Sequence, residues 1–402
     1  MNPRTTNRPL RRYAVTGLAL AALAGGSALV AGPARAAAPG PPGSDATGGT
    51  AATGPADTGA ALGHQPTCPP QGWALGFSDA LDKQQALGAE VGGLSALAHD
   101  TRRHRYAAIE DHSGDDPTRM WFLKRLAGSG DPVVSGTLLL RQPDDTAYTG
   151  ADFDAEGLAV LPGGRYVVSS EVEPSIRVFG RDGVQRAELP VPDRFRVAPA
   201  GQATANATLE GLTDSRNGNR IYAAMEGTLS GDISASGDDS YRRFLVYDHA
   251  HHGYRLAKQV GYRVDPGMRI AEVQRYGQDS LLVLEAAWTP EAGNSVRLYA
   301  VTHVRRAADV SAVPDLGDDP SGVMHKRLVT DVTRCPDLGA KAKEPQANPL
   351  MDNYEAMAIT HLRRHADLRH PGERLVEVIL LSDDNFSDVQ TTRVLRLAVR
   401  LP

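Results

Sequence analysis

Residues 152–171 read DFDAEGLAVLPGGRYVVSSE, in which a Pro-Gly-Gly sequence at 162–164 separates two apolar runs. Glycine supplies the positive φ angles of a tight turn, and the Tyr-Val-Val run at 166–168 consists of residues that favour strands. The first run begins with an acidic cluster and the second ends in Glu. The stretch therefore predicts a β-hairpin that carries a carboxylate at each end.

The same outline returns elsewhere in the chain, at residues 92–110, 209–226, 270–285 and 353–384. The leading positions of the five copies are 92, 156, 210, 272 and 355, with intervals of 64, 54, 62 and 83 residues. Repeats of roughly 40 to 50 residues that each contain four strands are typical of propeller blades. We expect an all-β fold, a β-propeller of five to six blades of antiparallel strands. Five blades are marked, six fit the length better, and a sixth could lie around residues 325–329.

The chain is predicted to have three segments. Residues 1–36 combine a basic start, a weakly apolar Ala/Gly/Leu run and the small-residue sequence Ala-Arg-Ala, which is typical of a secretory signal peptide. Polar and glycine residues interrupt the run, so it does not predict a membrane anchor, and Arg11-Arg12 leaves Sec and twin-arginine export both open. Residues 37–66 are a flexible Pro/Gly/Ala linker, and residues 67–402 are one propeller domain. We expect a secreted protein without stable membrane insertion.

The charge of the chain limits its partners. The formal net charge is −5, and removal of a signal peptide with five arginines and no acid would leave about −10. An acidic surface argues against nucleic acid, which needs a basic footprint. We expect a monomer that acts on a small molecule, and a phosphate ester would need a metal ion between it and the protein.

The chain has two cysteines, Cys68 near the start of the predicted domain and Cys335 near its end. In an oxidising compartment a disulfide between them is favoured over two independent thiols. A zinc site is excluded, because no partners stand at metal-ligand spacing.

Repeated acids are the main candidate for chemistry. A residue at the same place in every blade points to the same place in space, so the leading glutamates would line one mouth of the axial channel. These are Glu156, Glu210, Glu272 and Glu355, with possible supporting oxygens from Asp152, Asp154, Asn206, Asn353 and Asn385. Clustered carboxylates raise one another's pKa or require a cation, and many hard oxygens favour calcium.

A second acidic series closes the following strands: Glu110, Glu171, Glu226, Glu285 and Asp383. The alternative is structural: the repeated carboxylates cap backbone N–H groups at blade corners while glycine turns the chain. For the set as a whole we favour a metal or ligand site. The sequence has no G-x-S-x-G elbow, Walker loop or H-E-x-x-H motif, which argues against serine-hydrolase and nucleotide-binding functions.

These motifs resemble a known family. Glu-Gly-Leu-Ala at 156–159, Leu-Glu-Gly-Leu at 209–212, Asn-Tyr-Glu at 353–355 and Ser-Asp-Asp-Asn-Phe at 382–386 are similar to the bacterial phytase-like domain family, also described as esterase-like activity of phytase. The resemblance covers about residues 94–401 and implies an exported propeller whose recurrent acids carry phosphoester hydrolysis. Gly92, Ala271-Glu272-Val273 and Ala356 depart from the pattern.

The leading hypothesis is a secreted, calcium-dependent hydrolase of phosphate esters. We predict calcium ligands at Glu156, Glu210, Glu355 and Asp384, a proton acceptor at Glu171 or Glu226, and substrate contacts at Lys326 and Asn385. One alternative is a calcium-dependent lactonase or carboxyl-esterase propeller with the same axial site. Another is a non-catalytic extracellular binding propeller in which the carboxylates are structural.

Overall fold

The computed structural model describes residues 65–128, 130–360 and 373–402. The predicted signal peptide, nearly all of the predicted linker, and the His/Arg-rich insertion at 361–372 lie outside the described residues. The helical segments that are described are short 3-10 turns: Asp193–Phe195, Ser230–Asp232, Val304–Arg306, Pro320–Gly322 and Val332–Arg334. The rest of the regular structure is strand, which confirms the all-β prediction.

Four short strands precede the first complete blade. They are β1 (Thr67–Cys68), β2 (Gly72–Ser78), β3 (Gln85–Ala86) and β4 (Ala89–Glu90). Strands β1 and β2 pair with each other, and β3 and β4 form a separate two-stranded hairpin. Strand β2 also pairs with the last strand of the chain and so belongs to the last blade.

Blades 1 and 2 are four-stranded antiparallel sheets in sequence order. Blade 1 contains β5 (Leu94–Asp100), β6 (Arg105–Glu110), β7 (Arg119–Lys124) and β8 (Val133–Leu139). Blade 2 contains β9 (Ala155–Val160), β10 (Tyr166–Ser170), β11 (Ser175–Phe179) and β12 (Gln185–Leu189). The predicted hairpin at 152–171 is the β9–β10 pair, and Gly164 in its turn has a φ of 80°.

Blades 3 and 4 repeat this arrangement with longer strands. Blade 3 contains β13 (Leu209–Asp214), β14 (Arg220–Met225), β15 (Tyr241–Ala250) and β16 (Gly253–Arg263). Blade 4 contains β17 (Arg269–Arg275), β18 (Ser280–Thr289), β19 (Gly293–Thr302) and β20 (Lys326–Asp331).

Blade 5 combines strands from both ends of the described chain. It contains β21 (Tyr354–Thr360), β22 (Arg374–Ser382) and β23 (Val394–Leu401), and its sheet order is β21-β22-β23-β2-β1. Strand β2 pairs with β23 from Gly72 opposite Val399 to Ser78 opposite Val394. The ring of blades is therefore closed by backbone hydrogen bonds between its first and last strands.

The hydrophobic core is divided among the junctions between neighbouring blades. Tyr166 of blade 2 and Phe153, in the segment before that blade, pack with Phe122 of blade 1. Similar clusters join blades 2 and 3, blades 3 and 4, and blades 4 and 5. The ring closes where Trp121 of blade 1 packs in one cluster with Ile379 of blade 5. Each blade thus buries its two faces against its two neighbours.

The described residues form five blades, so the sixth blade suggested by the chain length is wrong. Residues 325–329 do not begin another blade, because Lys326–Asp331 is β20, the outer strand of blade 4. The predicted disulfide is confirmed: Cys68 and Cys335 are bonded and tie β1 to the segment that follows β20. Within the described residues, no helix is long and apolar enough to cross a lipid bilayer.

Candidate functional site

The innermost strand of every blade carries a β-bulge near its start. In β5, β9, β13, β17 and β21 the register with the next strand shifts directly after the first paired residue. A bulge turns the side chain of the extra residue away from the regular alternation of the strand. The residues at this bulge position are, in blade order, Ser95, Glu156, Glu210, Ala271 and Glu355.

Two more positions repeat beside the bulge. The first lies two residues before it, and its members are Gly93, Asp154, Thr208, Arg269 and Asn353. The second directly follows the residue of the next strand that pairs with the residue just before the bulge. Its members are Asp111, Glu171, Glu226, Ala286 and Asp383. In four blades the N–H of the second position donates to the carbonyl of the first, as Glu171 does to Asp154, and in blade 4 the two positions pair directly.

We call the charged residues at these positions the axial pocket. Its members are Asp111, Asp154, Glu156, Glu171, Glu210, Glu226, Arg269, Glu355 and Asp383. They come from all five blades. Five are buried, namely Glu156, Glu171, Glu210, Glu355 and Asp383, and the other four are half-buried. Glu156, Glu210 and Glu355 are 7%, 6% and 7% exposed. The structure thus brings together three predicted metal ligands and both predicted proton acceptors.

The carboxyl groups of the pocket shift one another's pKa. Burial raises the pKa of Glu156 well above its ordinary value, and the charges of Glu210 and Asp111 raise it further. Burial, followed by the charge of Glu226, likewise raises the pKa of Glu210 and also raises the pKa of Glu171, the latter to about 7. Such mutual shifts arise only among carboxyl groups that share one site.

Arg269 is the cation of the pocket. Its Nη1 lies 3.2 Å from Glu210 Oε1 and 3.0 Å from Glu226 Oε1, and its Nη2 lies 2.6 Å from Glu355 Oε1. Nη2 also donates to Asn353 Oδ1 at 3.0 Å. Burial alone would lower the pKa of this guanidinium, but the three glutamates outweigh burial and raise it. Arg269 neutralises part of the negative charge in one half of the pocket, the half formed by Glu210, Glu226 and Glu355.

The other half of the pocket could hold a cation. Carboxylate oxygens of Asp111, Asp154 and Glu156 all lie within 4.8 Å of one another. Burial, followed by the hydrogen bond and charge contributions of its carboxyl neighbours, raises the pKa of Asp111. Hard carboxylate oxygens at this spacing are the donors that calcium prefers. The residues present therefore fit a calcium ion.

The loop after β22 lies beside this half. Asp384 was predicted as a metal ligand, but its Oδ1 accepts the backbone N–H of Gly93 at 2.9 Å and its Oδ2 is paired with Lys83 Nζ at 2.7 Å. A Cβ at Gly92 would lie 2.6 Å from Asp384 Oδ1, which explains glycine there. Asn385 donates its backbone N–H to Asp383 Oδ1 at 2.7 Å. Asp384 thus anchors the loop to the segment before blade 1 with both of its oxygens.

Glu272 does not occupy the position that its motif suggested. Ile270 pairs with Glu285 and Glu272 with Leu284, so Ala271 is the bulge residue of blade 4. The Glu272 carboxylate is fully buried and accepts the backbone N–H groups of Leu212 and Val273. For this glutamate the structural alternative, a carboxylate that caps backbone groups, describes the structure.

The position of Glu272 is a glycine in the two blades with the Glu-Gly-Leu motif. A Cβ at Gly157 would lie 2.2 Å from the carbonyl oxygen of Glu210, and one at Gly211 would lie 2.8 Å from the amide nitrogen of Val273. Glycine is therefore required because neighbouring inner strands approach closely, which is a different reason from the predicted turn.

Two members of the second acidic series are displaced by one residue. Glu110 pairs with Leu94, and its carboxylate accepts Trp121 Nε1 at 2.6 Å and lies 3.2 Å from Arg119 Nε. The axial acid of blade 1 is Asp111, the next residue.

Glu285, the other displaced acid, accepts Tyr262 Oη at 2.5 Å and is paired with Lys326 Nζ at 2.6 Å. Lys326, a predicted substrate contact, lies on the outer strand β20 and also pairs with Asp265 at 2.8 Å. Both side chains are part of an ion-pair network of blade 4.

The sequence prediction missed Asp111 and Arg269. Counting from the apolar residue that opens each inner strand would have found them. Arg269 precedes Ile270 as Asp154 precedes Ala155, and Asp111 follows the partner of Leu94 as Glu171 follows the partner of Ala155.

Several solved structures are similar to this chain at low sequence identity. A gluconolactonase from Xanthomonas campestris is 11% identical, with 85% of this chain and 93% of that chain covered and a TM-score of 0.33. A streptogramin B lyase is 9% identical, with 82% and 98% covered and a TM-score of 0.33. A hydrazine synthase from Kuenenia stuttgartiensis is 12% identical, with 75% and 81% covered and a TM-score of 0.31. Similarity this low carries no argument about function.

Among curated proteins, none matches the chain in sequence. The family model of Phytase-like proteins, described as esterase-like activity of phytase, matches residues 89–386. This match spans well over half of the chain and contains every residue of the axial pocket. The protein therefore belongs to the Phytase-like family, esterase-like activity of phytase.

Proposed function

We propose that the protein is a secreted, calcium-dependent hydrolase of phosphate esters that acts at the axial pocket. Membership of the Phytase-like family supports a propeller enzyme of the hydrolase type. The observation that carries the proposal is the Asp111, Asp154 and Glu156 triad, whose oxygens lie within 4.8 Å of one another at the axis of the ring.

Glu156 is the predicted calcium ligand that belongs to this triad, and Asp111 and Asp154 join it. Glu210 and Glu355, also predicted as ligands, face Arg269 in the neighbouring half. A bound calcium ion would supply positive charge against which an ester oxygen is polarised.

Between the two candidate proton acceptors, we favour Glu171. Glu226 is ion-paired with Arg269, whereas Glu171 accepts the backbone N–H of Thr208 at 2.6 Å, and burial with the charge of Glu226 raises its pKa to about 7. A carboxyl group with this pKa can accept and return a proton near neutral pH. The role of Glu171 is then to take a proton from an attacking water molecule.

Substrate contacts are proposed at the mouth of the pocket. Asn385 lies close to the axial acid Asp383, and its side-chain amide is exposed where it donates to Gln390. It can bind an ester oxygen by exchanging that partner. Lys326 is left out of the proposal, because Glu285 and Asp265 already neutralise its ammonium group.

The charge of the pocket favours a second candidate, hydrolysis of an uncharged carboxyl ester or lactone. Eight carboxyl groups surround the axis, and Arg269 is held by three of them. A phosphate dianion must approach against this charge unless a metal ion offsets it, while a neutral ester meets no such barrier.

A substrate panel tests both candidates. Purified protein is assayed with p-nitrophenyl phosphate, phytate, p-nitrophenyl acetate and a δ-lactone, in calcium and in EDTA. The proposal expects turnover of the phosphate esters that EDTA abolishes and Glu156→Gln removes. Turnover of the neutral esters alone would select the second candidate, and tight binding of a substrate without turnover would select a non-catalytic propeller.

We also propose that the protein is exported as a monomer. The Cys68–Cys335 disulfide supports an oxidising compartment. N-terminal sequencing of protein from culture medium should place the first residue close to Ala37, and finding the mature protein in the reduced cytoplasmic fraction would contradict export.

A further inference from the structure

Blade 4 differs from the other four blades at the axis. At its three repeat positions it has Arg269, Ala271 and Ala286, so it contributes no carboxylate to the pocket and one guanidinium. Blades 2, 3 and 5 place at least two acids each at these positions. The blade that has no acid at these positions therefore supplies the positive charge at the axis.

The oxygens around Arg269 resemble the surroundings of a metal ion. Its two terminal nitrogens contact carboxylate oxygens of Glu210, Glu226 and Glu355 and the amide oxygen of Asn353, at 2.6 to 3.2 Å. Asn353 Nδ2 in turn donates to Glu355 Oε1 at 3.1 Å, which holds both side chains in place. Three carboxylates and one amide oxygen are hard donors of the kind that bind calcium.

We propose that the axial pocket has two cation positions and that Arg269 permanently fills one of them, in place of a second metal ion. The half formed by Asp111, Asp154 and Glu156 is the other position, and that assignment rests on the proposed function. The Arg269 half depends only on the contacts described above. Removing the guanidinium should therefore leave Glu210, Glu226, Glu355 and Asn353 free to bind one additional divalent cation.

Counting bound ions tests this inference. Wild type and Arg269→Ala are stripped with chelator, and calcium stoichiometry is measured by isothermal titration calorimetry and by metal analysis after equilibrium dialysis. We expect the variant to bind one ion more per chain than wild type. We also expect calcium to raise its melting temperature more than that of wild type, because the added ion replaces a lost internal charge.

Arg297→Ala is the matched control. Arg297 belongs to the same blade and pairs with two acids, Asp265 at 2.6 Å and Asp331 at 3.7 Å, outside the axial pocket. Its removal should leave the number of bound ions unchanged.

The outcomes separate this inference from the proposed function. The wild-type count tests the calcium site of the proposed function, and a count of zero would overturn it. The difference between variant and wild type tests Arg269, and a difference of zero would overturn the present inference. If Arg269→Ala fails to fold, Arg269→Gln keeps hydrogen-bond donors without the charge, and equal stoichiometry of that variant and wild type would refute the inference.

Discussion

The pH dependence of stability depends on Glu171, which is 8% exposed. Burial and the charge of Glu226 raise its pKa in the folded protein from 4.5 to about 7. Below pH 4.5 both the folded and the unfolded protein hold the proton, so the group has no effect on stability. Between pH 4.5 and about 7 the unfolded chain releases the proton while the folded protein keeps it, so stability falls as pH rises.

The size of the effect follows from the pKa. A rise from 4.5 to about 7 corresponds to about 3 to 4 kcal/mol at ~1.36 kcal/mol per pKa unit. With an unfolding entropy of ~2.1 cal/mol/K per residue over about 330 residues, this equals a change in melting temperature of about 5 °C. Substitution by Gln removes the titration and should remove this part of the pH dependence.

Circular dichroism melting curves in EDTA measure the effect, from about pH 4.5 to about pH 8. Wild type should lose about 5 °C more than Glu171→Gln over this range. Glu188→Gln, at an exposed position on the outer strand of the same blade, should behave as wild type. Parallel curves for wild type and Glu171→Gln would refute the argument, because they would show that Glu171 ionises alike in both states.

The remaining predictions concern structural residues. Replacing Cys68 and Cys335 together by Ser should lower the free energy of unfolding by about 3 to 5 kcal/mol in denaturant titrations, since the bond closes a long loop; an unchanged midpoint would contradict this. Glu272→Ala should cost about 1 to 3 kcal/mol, because two buried N–H groups lose their acceptor, while calcium stoichiometry stays constant; a lost ion would place Glu272 in the metal site. Arg393→Met should cost about 1 to 3 kcal/mol, because the carbonyl groups of Lys341 and Pro349 lose the guanidinium that donates to them; a neutral substitution in chemical denaturation would exclude that cost.

The sequence was a good guide to the fold because strand alternation and turn glycines act locally. Tyr166–Ser170 needs only its own composition and the turn before it to be recognised as a strand. The number of blades depends instead on what fills the long interval before Glu355. Loops and outer strands such as Lys326–Asp331 cannot be told apart from an extra blade by spacing alone.

The axial pocket was predicted where a glutamate coincides with the bulge, as in Glu156 and Glu210. Matching glutamate to glutamate failed in blade 4, because the bulge inserts one residue and Glu272 falls one position beyond it. The apolar residue that opens each inner strand is the better reference, since its burial fixes the register. Arg269 was missed for a related reason: a search for repeated acids cannot find the position where a cation replaces them.

The pairing of β2 with β23 has a consequence for the order of assembly. Blades 1 to 4 are each made from consecutive strands, but blade 5 needs residues 72–78 and 394–401 together. During synthesis, residues 72–78 emerge long before residues 394–401. Strand β2 therefore has no partner, and the blades form an open arc, until β23 has also emerged. The ring can close only as a final step, and the axial acids of the neighbouring blades 1 and 5 come together only then.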